Sequence, residues 1–129
     1  MLRLPRRPNF WLFGLIVWFG VLWGLSSSAL PGIPSPPIGH FDKVAHFGYF
    51  FGGAILLTAC LFFKNPGSPA WRVIIPAVVI GLALVGALDE FHQSFVPGRS
   101  GNDLADWLAD VAGAVAGAFT FKAIHRRLQ

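Results

Sequence analysis

Residues 73–88 read VIIPAVVIGLALVGAL, an uncharged run that ends directly on Asp89 and Glu90. A helix through it rises about 1.5 Å per residue and, with its flanks, crosses a hydrocarbon core of about 30 Å. A surface helix would show a polar face along its length, and a soluble core helix would be shorter. Three other runs share this character. Residues 10–30 carry Trp11, Trp18 and Trp23; residues 44–63 are interrupted only by His46; residues 104–124 hold Asp106, Asp110 and Lys122 near their ends. The pattern predicts an all-α, polytopic membrane bundle of about four transmembrane helices. The spans fall at about 10–30, 44–63, 73–91 and 104–124, within a single domain of residues 1–129.

Composition agrees. The 129 residues are 54% hydrophobic and 12% charged, where a soluble domain carries about a quarter charged residues. Mean hydropathy is +0.60. This excludes a disordered chain and argues against an ordinary soluble enzyme. Cys60 is alone, so no intrachain disulfide or Cys-based metal knuckle is available. The net charge of +4 could suit nucleic acid, but no nucleic-acid motif, P-loop or dinucleotide fingerprint is present. Breaker-rich stretches at 31–37, 64–69 and 97–102 read as the connectors. Basic residues, an apolar stretch and Ser27-Ser28-Ala29 give the N-terminus some likeness to a cleaved signal peptide. Its apolar stretch exceeds the usual 7–15 residues, and its tryptophans suit a retained anchor.

Charge placement orients the helices. Arg3, Arg6 and Arg7, then Lys64 and Arg72, then Lys122, Arg126 and Arg127 account for eight of the ten basic residues. The positive-inside rule puts both termini and the second loop in the cytoplasm, leaving Lys43 and Arg99 on the other side. All six acids, Asp42, Asp89, Glu90, Asp103, Asp106 and Asp110, fall at that outer side. Acids contribute little to topology, so their clustering needs a reason of its own.

Helical spacing puts Asp42, His46, Tyr49 and Gly53 on one stripe, aligns Asp89 with His92 and Gln93, and lines up Asp103, Asp106 and Asp110. The last stripe continues as Gly113 and Gly117, a pair that permits close helix approach in lipid; Gly48 with Gly52, and Gly20 with Gly24, offer further sites. Structural readings compete. Asp42 and Asp103 stand where carboxylates cap helices. Tyr49 and Gln93 suit interhelical hydrogen bonding, His46 suits packing, and His125 reads as a solvated tail residue. Asp89 and Glu90 resist such readings, because the C-terminal end of a helix disfavours negative charge. Asp110 lies about 9 Å inside the fourth helix. An ionisable group at the membrane centre costs about 2.5–3.5 kcal/mol on insertion scales, which marks such residues as functional candidates. Asp110 could also pair with another interior polar group.

Three blocks resemble the VanZ-like family: Asp42-Lys43-x-x-His46, then Asp89-Glu90-x-x-Gln93-x-Phe95-x-Pro97-Gly98-Arg99, then Asp103-x-x-Asp106. The resemblance covers roughly residues 12–121. Asp110 stands where that family usually has Asn. The resemblance implies a small bacterial membrane protein with about four helices, a multi-pass protein of the cytoplasmic (inner) membrane. The family's founding member is associated with resistance to the glycopeptide teicoplanin, and chemistry on lipid head groups or lipid-linked cell-envelope intermediates has been proposed for the family.

The leading expectation is therefore a polar, enzyme-like site at the outer membrane face acting on a lipid or lipid-linked phosphate. Candidate catalytic residues are Asp42, His46, Asp89, Glu90, Gln93, Arg99 and Asp106; Lys43, Tyr49, His92, Asp103 and Asp110 are candidate substrate contacts. His46 would be base or nucleophile with Asp42 orienting it, Asp89 or Glu90 a proton donor, and Arg99 a phosphate clamp. No cofactor is required, although His46, Asp89, Glu90, His92 and Asp106 offer donors for a divalent cation bridging a phosphate. The alternative is a non-catalytic membrane module that binds lipid, glycopeptide or a partner protein. A proton relay fits less well, because the cytoplasmic half holds no acid.

Overall fold

A computed structural model describes residues 4–27, 41–99 and 101–127. Arg3, Ser28, Ala29, the first connector and Ser100 lie outside the described residues. Four helices follow one another: α1 (Pro8–Ser26), α2 (Phe41–Phe62), α3 (Trp71–Gln93) and α4 (Leu104–Ile124), the last continued by a 3-10 turn, His125–Arg127. Among the described residues there is no strand, and all four helices are long and apolar enough to cross a membrane. The helices begin and end within a few residues of the predicted spans. The main differences are that α2 takes in Asp42 and Lys43, and that α3 runs through Asp89 and Glu90 to Gln93.

The exposed and buried faces are reversed relative to a soluble protein. Val73, Ile80, Leu84 and Leu88 are each at least 60% exposed along one face of α3, whereas Asp89, Glu90, Asp106 and Asp110 are at most 4% exposed. An apolar surround makes that arrangement favourable, and van der Waals fit then holds helix to helix. The fit is closest between α2 and α4. A Cβ at Gly113 would strike the carbonyl oxygen of Phe47, and one at Gly117 that of Phe51. Beneath them Ala114 and Ala118, both fully buried, pack with Phe50 and Ala54.

At Gly20, Gly24, Gly48 and Gly52 an added Cβ meets open space, so those pairs do not seat helices. Helix α1 is instead joined to α2 by two reciprocal bonds: Trp18 Nε1 donates to the Tyr49 carbonyl (3.0 Å) and Tyr49 Oη to the Trp18 carbonyl (2.6 Å). Gly53 faces the Trp18 ring, which an added Cβ would approach to 2.5 Å. Tyr49 and Gly53 thus turn toward α1, away from the face that His46 presents to α4. At the opposite, basic end, His125 packs against Phe62 and Trp71 at 5.0 Å rather than standing free as a tail residue.

The α3–α4 connection is short and folded back. Gly98 (φ 80°) and Asn102 (φ 60°) take left-handed conformations. A Cβ at Gly101 would collide with the Ser94 backbone and with the Glu90 carbonyl oxygen. Asn102 N–H donates to that carbonyl (3.2 Å) and Asp103 N–H to Glu90 Oε2 (2.9 Å). The loop therefore clamps the end of α3 at Glu90.

Candidate functional site

The end of α1, the start of α2, the end of α3 and the start of α4 meet at one end of the bundle, and all the acids lie there. They form two networks. Consecutive residues on a helix point about 100° apart, so Asp89 and Glu90 face different neighbours.

Asp89 turns to α1. Its Oδ1 accepts from Ser26 Oγ in a short hydrogen bond, and its Oδ2 accepts from Gln93 Nε2 at 2.9 Å. Ser26, Asp89 and Gln93 are each at most 4% exposed. Beside them His92 lies 3.0 Å from Ser27 Oγ and stacks on Trp23 at 4.0 Å. The i, i+4 alignment of Asp89 with Gln93 is as expected, while His92 leaves that pair for α1. Ser26 and Ser27 were not among the candidates. Their signal is a polar pair closing an apolar run, of which only Ser27 falls in the cleavage-site pattern.

Glu90 turns to α2 and α4, where the second network gathers on His46. The ring nitrogen Nδ1 lies 2.8 Å from Asp110 Oδ1, and Nε2 lies 3.8 Å from Asp106 Oδ2 and 3.9 Å from Asp42 Oδ1. With Asp110 ionised its carboxylate could only accept, so Nδ1 would carry the hydrogen; Nε2 is the nitrogen turned toward Asp42 and Asp106. Asp110, not Asp42, is the residue that orients the imidazole. The Asp42 side chain is 69% exposed and that of His46 12%. Lys43 Nζ donates to Asp106 Oδ1 (2.9 Å) and sits 3.8 Å from Asp103 Oδ2.

Asp103 takes its structural role. It caps α4, accepting from Ala105 N–H (2.8 Å) and Asp106 N–H (3.4 Å). The Ala105 N–H bond, first among several influences, holds its carboxyl below the ordinary value of 3.8. Arg99 is half-buried in the α3–α4 loop, and among the described residues its guanidinium makes no ion pair.

The structure brings Asp42, Lys43, His46, Glu90, Asp103, Asp106 and Asp110 together in one cluster around His46. Asp89, Gln93 and His92 are drawn to α1, and Tyr49 is occupied by Trp18. Two groups place three potential metal-ligand atoms within 4.8 Å of one another: Asp42, His46 and Asp106, and, deeper, His46, Glu90 and Asp110. A recess of about 240 Å³, bordered by Asn102, Asp103 and Trp107, reaches Glu90. A larger cavity of about 350 Å³ lies mid-bundle among Leu15, Leu57 and Leu82, and among the described residues no ionisable group lines it.

A family model described as VanZ/LLP1 matches residues 6–125. No curated protein and no solved structure matches the chain.

Proposed function

The chain belongs to the VanZ/LLP1 family, a multi-pass membrane protein with four apolar helices, and from that premise we propose that its His46 site acts on the head group of a membrane lipid or lipid-linked envelope intermediate. The observation that carries the reading is the Asp110–His46 pair. A buried carboxylate on Nδ1 fixes the tautomer and leaves Nε2 as a base directed at the end of the bundle, where head groups lie. A bilayer supplies the rest of the positioning: the tail stays among the helices, and only the head group need reach His46. Lys43, partly exposed beside Asp106, and Arg99, without an ion pair among the described residues, supply positive charge for an anionic head group. Asp106 keeps Lys43 in place. Asp89, with both oxygens engaged, serves as the latch of α1 and not as a proton donor.

Positive-inside placement puts this site at the outer face of the bacterial cytoplasmic membrane, with both termini inside. A C-terminal reporter active only in the periplasm would contradict that orientation.

The function is tested in a host lacking the chain by restoring wild type, His46→Gln or Asp110→Asn and comparing lipids and lipid-linked intermediates by mass spectrometry. A species that accumulates with both variants, each inserted and folded, supports turnover at His46 and names the substrate. Identical profiles for wild type and His46→Gln point instead to a module that binds without reacting.

A further inference from the structure

The deeper network is built from three helices and is left incomplete. Glu90 of α3 and Asp110 of α4 are 4% and 0% exposed. Each keeps one buried carboxylate oxygen, Glu90 Oε1 and Asp110 Oδ2, with no hydrogen-bond partner among the described residues. Buried polar atoms are nearly always satisfied, because their lost hydration must be replaced. On the neighbouring residue the same bundle satisfies a buried carboxylate fully, giving Asp89 both Ser26 and Gln93. Among the described residues no Lys or Arg ion-pairs with Glu90 or Asp110, since Lys43 is spent on Asp106 and Asp103 nearer the mouth.

We propose that Glu90 and Asp110 together bind a divalent, oxygen-seeking cation of the Mg²⁺ or Mn²⁺ class. One carboxylate oxygen from each lies within 4.8 Å of the other, close to the span of about 4 Å that an ion with oxygen ligands at about 2.0–2.1 Å bridges. Such ions are held by one or two carboxylates and keep several waters for a substrate to displace. The recess bordered by Asn102, Asp103 and Trp107 reaches Glu90, one of the two proposed ligands. Each carboxylate is held from behind by its other oxygen: Glu90 Oε2 accepts from Asp103 N–H at 2.9 Å, and Asp110 Oδ1 from His46 at 2.8 Å. That outer support is what fixes ligand orientation in metal sites. Asp110 Oδ2 itself packs beside Gly86, where a Cβ would approach it to 2.8 Å, so the glycine is what leaves that oxygen its space. His46 keeps its hydrogen bond to Asp110 and its free Nε2, so the site adds to the imidazole's role and does not replace it. The ion also answers an electrostatic problem, because a phosphate would otherwise enter a pocket where acids outnumber bases.

The assignment rests on geometry and does not require turnover, so it is tested by binding. The full chain, tag-free, stripped with chelator and held in lipid nanodiscs, is titrated with Mn²⁺ and the free-ion paramagnetic resonance signal is followed. One Mn²⁺ per chain is expected, displaced by Mg²⁺, with affinity at least tenfold weaker in Glu90→Gln and Asp110→Asn and unchanged in Asp42→Asn. A wild-type titration indistinguishable from empty nanodiscs overturns the proposal. So does loss of binding in Asp42→Asn with Glu90→Gln unaffected, which would move the ion to the outer trio. Circular dichroism checks folding; if both buried variants fail it, a saturable rise in the wild-type melting midpoint with Mn²⁺ supports the site and no rise overturns it.

Discussion

Two carboxylates on neighbouring residues of α3 meet opposite circumstances. Asp89 is closed off: two oxygens, two donors, all within 4% exposure, tying α1 to the bundle. Glu90 is held by one oxygen and open at the other, and it faces Asp110, which is open in the same way. A buried polar network that is fully satisfied rigidifies a fold, whereas an unsatisfied buried group calls for an explanation of its own, a bound water or ion among them. The contrast separates a latch from a site without any appeal to residue type, since both are buried acids on adjacent residues of one helix.

The hardest blow to the open network comes from its scaffold. Gly113→Val drives a side chain into the Phe47 carbonyl, prying α2 from α4 and His46 from Asp110. It should cost about 3 kcal/mol or more in reversible denaturation in detergent, together with all cation binding. A wild-type-like midpoint would mean that helix contact does not build the site.

Breaking the latch costs less and leaves the site standing. Asp89→Ala orphans Ser26 and Gln93 and should lower stability by about 1–2 kcal/mol, with Mn²⁺ affinity unchanged. Matched losses of stability and Mn²⁺ affinity would merge the two networks into one.

Glu90→Gln should move stability the other way. It removes an unpartnered carboxylate oxygen while the amide oxygen still accepts from Asp103 N–H, so stability without cation stays level or rises by up to about 1 kcal/mol. Stability gained where function is lost is the signature of a binding site. A fall comparable to that of Asp89→Ala would show Glu90 to be a second latch.

The smallest effect belongs to the cap that joins the two sides. The Asp103 carboxyl sits below 3.8 when folded, so its contribution is complete above the unfolded value and fades as pH falls through the lowered folded one. An acid titration of stability should show that limb flattened in Asp103→Asn, which keeps the capping oxygen. An unchanged limb would assign it to another acid.

Much of this was legible in the residues alone. Four apolar runs near membrane length determine four helices, because backbone polar groups in lipid must be satisfied within the segment. Breakers set the loops, and Gly113 with Gly117 marked the contact that α2 and α4 make. The gathering of the acids at one end followed from helix direction. Sequence periodicity could not say which neighbour each polar face would meet. Asp42 and Tyr49 share a stripe with His46 on paper, yet a stripe on a helix is wide enough to face two partners, and Tyr49 went to Trp18. Ser26 is only the last polar residue of an apolar run in the sequence, and its use shows once α1 lies beside Asp89.

The chain's own order thus determined that there are four apolar helices with their acids at one end, for hydropathy and charge act locally and add along the run. Only the packed bundle decided that Asp89 is closed and Glu90 open, because a hydrogen bond depends on the azimuth and depth of a second helix, and no stretch of sequence carries its neighbour's position.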